Sequence, residues 1–342
     1  MASSNLIVAS GAVLDVTART GGVLPLAAGQ TLRGTGTVLG TVNVANAAAI
    51  APGASVGTLA TGNQIWSGGG RYVCELNGTN FSACDLLALT GALDVQATSG
   101  HPFALELVSL SSDGAPGPLP DFDPAQPYTW TIATTTGGVL NFDAAKFAVN
   151  PTAFSNDFTG GQFTLAVTGN DLVLKYLPQP TISLTSPADG ASFTLPAVIP
   201  LAASVNARGN PITSVQFFAG ANLLHEDFTA PYAFDWTSAT PGAHTLSAVA
   251  AYDAGTVGSA TVGITVFDPT PPGLTASLAD NMLSLQLTGV PGQHYRVEYQ
   301  PALPAAGPWQ LLADIPALAA SPFTVSDPAT NGARFYRAVA VP

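Results

Sequence analysis

Between Leu6 and Leu59 the apolar residues come in runs too short for a helix, and glycine punctuates them throughout. Leu6-Ile7-Val8, Val23-Leu24, Val38-Leu39, Val42 with Val44, and Val56 to Leu59 alternate with Gly11, Gly21-Gly22, Gly34, Gly40 and Gly53. Valine and threonine suit a pleated, half-buried surface, while glycine reaches the positive φ of tight corners. A chain that turns every few residues and keeps one face apolar winds into a β-solenoid, each coil covering the next. The expected class is all-β: short β-solenoid coils over 1–64, a β-rich cap over 65–177, and two smaller β-sandwiches after that.

Composition narrows the functional classes. Charged residues make up 9% of the chain, against roughly 25% in ordinary soluble proteins. Apolar residues reach 47%, yet no run of about 18 of them is long enough to cross a membrane as a helix. With 9 Lys and Arg against 21 Asp and Glu, the formal net charge is −12. Such a surface repels phosphate backbones and anionic lipid heads, so neither a nucleic-acid partner nor membrane insertion is expected. Met1-Ala2-Ser3-Ser4 has neither the basic region nor the apolar core of a signal peptide, and none is expected in this chain.

Cys74 and Cys84 flank the turn signal Asn77-Gly78. Two readings stay open for them: a disulfide across a hairpin in an oxidising compartment, or two buried small residues. No histidine stands near enough in sequence to complete a zinc site.

After Ile65 aromatic residues enter and the runs lengthen, as in Arg71-Tyr72-Val73-Cys74-Glu75-Leu76 and Phe103 to Val108. Asp113 to Pro127 carries five prolines and reads as a surface loop. Phe163–Val167 and Leu172–Tyr176 flank Gly169-Asn170-Asp171, a strong hairpin signal. Leu177-Pro178-Gln179-Pro180 and Asp268-Pro269-Thr270-Pro271-Pro272 are stiff linkers. Between them about seven short strands over 180–267 make a sandwich, and 273–342 holds another set.

Gln30-Thr31-Leu32-Arg33-Gly34-Thr35-Gly36-Thr37-Val38 and Ile50-Ala51-Pro52-Gly53-Ala54-Ser55-Val56-Gly57-Thr58-Leu59 resemble the passenger-associated repeat of autotransporter-type adhesins. The likeness continues through Gly69-Gly70-Arg71-Tyr72, Asp85-Leu86-Leu87 and Tyr128-Thr129-Trp130 to about residue 177, without the membrane-barrel translocator of that family. Ser186-Pro187-Ala188-Asp189-Gly190 and Ala230-Pro231-Tyr232 with Trp236 resemble bacterial immunoglobulin-like domains. Tyr295-Arg296-Val297-Glu298-Tyr299, Trp309 and Arg334-Phe335-Tyr336-Arg337 resemble small fibronectin-type-III-like modules of secreted bacterial proteins. These resemblances imply an extracellular or cell-surface location in a bacterium.

Chemistry is sparse. His101, His225, His244 and His294 are scattered, and no nucleophile elbow, phosphate loop or metal-spaced pair appears. The coils carry only Asp15, Arg19 and Arg33 as charges, too few for glycan cleavage on their wall. Asp121, Asp123 and Asp253 offer oxygens suited to calcium, but no twelve-residue loop surrounds them, so no cofactor is expected. His225-Glu226-Asp227 is the most polar cluster of the first sandwich. Trp236 and Trp309 are the candidate glycan contacts, set against a plain core role for each. The sequence thus points to a non-enzymatic structural or adhesive protein that associates with itself or with a surface polymer. The alternative is a carbohydrate-binding or adhesion module of a larger secreted enzyme.

Overall fold

The computed structural model describes residues 3–279, 282–303, 307–328 and 333–341. Two units form: one runs to Gln179 and takes in Arg208–Asn210, and the other holds Pro180–Ala207 with the chain from Pro211 on.

The first unit lays down its strands in threes. β1 (Asn5–Val8), β2 (Val13–Asp15) and β3 (Val23–Leu26) make the first turn. β4 (Thr31–Gly34), β5 (Thr37–Leu39) and β6 (Thr41–Val44) make the second, and β7 (Ala49–Pro52), β8 (Thr58–Thr61) and β9 (Gln64–Trp66) the third. β10 (Arg71–Leu76), β11 (Leu86–Leu89) and β12 (Leu93–Val95) follow, then β13 (Phe103–Ser109), β14 (Tyr128–Thr135), β15 (Val139–Leu140) and β16 (Phe147–Ala153). Each strand pairs in parallel with its counterpart three strands on, which builds three sheets around one core. Strand positions thus recur every three places, each extending its own parallel sheet. An antiparallel hairpin, β17 (Gln162–Thr168) and β18 (Asp171–Leu177), then joins the edge of β14.

Period-two patterning decides which way each side chain points. In β10 Tyr72, Cys74 and Leu76 face the core while Arg71, Val73 and Glu75 face outward. In β13 Phe103, Leu105, Leu107 and Ser109 are buried. The same register on successive turns puts Phe147 on Phe103, edge-on at 6.5 Å, and from a neighbouring sheet the Trp66 ring stacks on Phe103 at 4.4 Å.

Parallel pairing runs across the expected border between coils over 1–64 and a cap over 65–177. Arg71 and Tyr72 pair with Ala49 and Ile50, and Leu86–Leu89 with Thr58–Thr61, so the winding passes residue 64 unbroken. Partners lie 18 residues apart at Thr31 and Ala49 but 44 apart at Phe103 and Phe147. Longer sides enclose a wider core, which larger side chains must fill to native density. The aromatic texture after Ile65 therefore marks wider turns of the same coil. Covering is left to the β17–β18 hairpin, where Phe163 meets Phe154 and Phe158 edge to face and Tyr176 at a tilt.

The second unit opens with a sandwich. β19 (Thr181–Ser186), β20 (Ala191–Thr194), β21 (Ile199–Asn206), β22 (Ile212–Ala219), β23 (Asn222–Asp227), β24 (Ala233–Trp236), β25 (Gly242–Tyr252), β26 (Gly255–Gly258) and β27 (Val262–Phe267) divide into two sheets. Order β19-β21-β24 packs on order β20-β27-β25-β22-β23 through Leu201, Phe217, Trp236, Leu246 and Ile264. The carbonyl and amide of Asp268 are both held by the Gln293 side chain, at 2.9 and 3.0 Å, which fixes the start of the second proline linker. Beyond it β28 (Gly273–Ala279), β29 (Met282–Thr288), β30 (His294–Gln300), β31 (Gln310–Ile315), β32 (Phe323–Pro328) and β33 (Phe335–Val341) form two three-stranded sheets. Their shared core is Leu285, Leu287, Tyr295, Val297 and Ile315. Among the described residues no helix is long and apolar enough to cross a membrane.

Candidate functional site

Polar chemistry concentrates where the fourth turn of the coil widens, at residues 72–85. β11 pairs with β14 only from Leu87 and Ala133 onward, which leaves the first half of β14 without a strand on that side. The loop between β10 and β11 takes its place. Thr131 N–H donates to the Phe81 carbonyl at 3.0 Å, and Trp130 Nε1–H to the Gly78 carbonyl at 2.9 Å. The Asn80 side chain accepts from the Ser82 amide and hydroxyl, a local turn that holds the loop tip in place.

Asp85 closes the loop. It is 1% exposed, with Oδ1 accepting from Gly57 N–H at 2.8 Å and Oδ2 from Glu75 N–H at 3.0 Å. One carboxylate so ties a corner of the turn below to β10. Its own carbonyl receives the Tyr72 hydroxyl at 2.9 Å. Burial pushes the Asp85 carboxyl up to about 8, against the pull of the two amides. Burial also raises Tyr72 and Cys74 well above their ordinary values, and takes the Cys84 thiol up to about 12. These groups act as hydrogen-bonding pins.

Cys74 and Cys84 are free thiols here. The residue facing Cys84 across the loop is Leu76, two positions past Cys74, and the Cys84 thiol donates to the Thr131 carbonyl at 3.2 Å. Both side chains are buried.

Against this loop lies a cavity of about 470 Å³. Val56, Thr58 and Leu86 form one side, Thr131, Thr134 and Asp171 another, with Cys84 between them. Phe81 stands at its edge, 69% exposed and touching no other ring. Nothing in the sequence singled this residue out except an aromatic set among small polar residues.

The tryptophans expected to touch glycans lie elsewhere. Trp236 is 5% exposed in the core of the first sandwich, its Nε1–H on Ser238 and its ring edge-on to His244. That is a packing role, dictated by its place in an alternating strand. Trp309 is half-buried, and the Arg337 guanidinium sits 4.3 Å from its ring centre, so one ring face is already covered. Arg337 also binds Glu298 at 2.7 Å. In the His225 cluster, the imidazole stacks on Phe234, Glu226 holds Ser214 and Gln216, and Asp227 caps the turn at Thr229 and Ala233. Among the described residues no three His, Cys, Asp or Glu side chains converge as metal ligands would. Asp123 spends an oxygen on the Ala125 amide of its own turn.

Residues 180–248 match the family described as a bacterial Ig domain. No curated relative matches the chain. Among solved structures, fibronectin(III)-like modules of CbhA from Clostridium thermocellum are 32% identical over 25% of this chain and 94% of theirs, at a TM-score of 0.24. An endo-β-1,4-mannanase from Thermotoga petrophila is 13% identical over 54% of this chain and 48% of its own, also at 0.24. Scores this low carry no argument about activity.

Proposed function

We propose, with the bacterial immunoglobulin-like match over 180–248 as premise, that this chain is a non-enzymatic structural and adhesive module of a bacterial cell surface. The coil serves as a passenger-type stalk and the sandwiches as spacers or contact modules. The supporting observation is the use to which the polar groups are put. Asp85, Gln64, Asp227 and Asp327 each hold backbone or neighbouring side chains of the scaffold. Self-association is the finer part of the reading. It draws on the low charge and on sheet edges such as β23, where Leu223 and the following Phe228 stand exposed. Sedimentation velocity across a concentration series, with electron microscopy of the same samples, tests it. Reversible oligomers or stacked particles are expected, and a strictly monomeric species at every concentration rejects self-association.

A further inference from the structure

We propose that the cavity beside Phe81 is a subsite for a neutral pyranose unit of a polysaccharide. The inference rests on the adhesive half of the reading above and gives it a ligand. Three observations converge. Phe81 presents a bare ring on a loop strapped to β14 through its own carbonyl, so its backbone is held at the cavity while its ring stays exposed. An ordered, exposed aromatic offers a face for the C–H side of a sugar. Opposite it, the hydroxyls of Thr58, Thr131 and Thr134 line the cavity and make no hydrogen bond within the described protein, so they remain open to sugar hydroxyls.

The third observation is charge. No lysine or arginine lines the cavity, while the carboxylate of Asp171 does, with one oxygen on the Thr135 amide at 3.2 Å. An acidic sugar or a phosphate would meet a like charge with no cation to offset it. A lone carboxylate also falls short of a cation site. The Cys84 thiol in the lining stays protonated, so it adds apolar surface and no charge. At about 470 Å³ the space is within the range of small-ligand sites, on the order of one or two sugar rings.

The test is titration calorimetry and saturation-transfer NMR on the whole chain with cellohexaose, mannohexaose, xylohexaose and hexagalacturonate. At least one neutral hexaose is expected to bind saturably while hexagalacturonate does not. Phe81→Ala should weaken that binding by about tenfold, and Thr134→Val by a smaller factor, with unfolding midpoints little changed because Phe81 is exposed and valine keeps the shape of the half-buried Thr134. Neutral binding that survives Phe81→Ala moves the sugar site elsewhere and overturns the cavity, leaving an adhesive role intact. Equal binding of hexagalacturonate overturns the neutral specificity. Failure of every hexaose overturns the subsite, while the sedimentation experiment decides self-association separately.

Discussion

The coil and the two sandwiches are all built of strands, yet they differ in where backbones approach closely and in how charge is held. In the coil, backbone lies directly on backbone one turn below. Gly34 sits over Val8 at φ +109°, and a Cβ there would overlap the Val8 carbonyl oxygen. In the first sandwich Gly220 also has positive φ, at +59°, but its Cβ direction is open space. The coil buries a carboxylate and feeds it amides, as at Asp85. The C-terminal sandwich pairs charge with charge, at its surface where Arg296 and His294 meet Asp314 and Arg337 meets Glu298, and inside where Arg334 meets the buried Asp327. A stacked winding has its specificity in the main chain; a sandwich has it in side chains.

The sharpest way to break this contrast is a pair of glycine substitutions. Gly34→Ala should cost the coil about 4 kcal/mol, combining backbone overlap with a left-handed alanine, and Gly220→Ala about 1 kcal/mol from conformation alone. Urea unfolding with hydrogen exchange read separately over 5–177 and 181–267 measures both, and equal costs would erase the distinction. Next in size, Asp85→Ala leaves two buried amides without acceptors and should destabilise the coil by about 3 kcal/mol.

A pH series sharpens the same point. The folded Asp85 carboxyl lies near 8, above its ordinary value of 3.8. Its contribution is therefore complete below about pH 4 and is lost as pH rises through about 8. Asp314 is held below its ordinary value by hydrogen bonds from His294 and Arg296, so its contribution is present above pH 4 and lost as pH falls. From pH 5 to 9 the urea midpoint of the coil should drop while that of the C-terminal sandwich does not follow, and Asp85→Asn should abolish the drop. The smallest effect belongs to the surface pairs: Arg337→Ala should cost no more than about 1 kcal/mol in the C-terminal module, and a larger loss would mean that stacking on Trp309 outweighs the ion pair.

Much of the scaffold was legible because its signals are local. Alternation in Arg71–Leu76 and Phe103–Val108 marks strands and their inward faces, and Gly169-Asn170 places the β17–β18 turn. The continuation of the coil past residue 64 was not legible, because it depends on which strand meets which across gaps that grow from one turn to the next. The same limit hid the site. Trp236 drew attention as a large aromatic, but an aromatic in an alternating strand is filling a core. Phe81, in a loop of Asn, Gly, Thr and Ser, has no core to fill, and only the missing strand beside β14 explains why its backbone is fixed there.

The spacing of partner strands has one more consequence. In the first three circuits each strand pairs only with the strands above and below it, so there the duplication of a whole circuit keeps inward residues facing in. Adding a single residue within a side would instead turn the following inward residues out to water. Length change in this part of the chain is therefore expected to be accepted in whole circuits along the faces and residue by residue only at corners such as the Asn77–Ala83 loop.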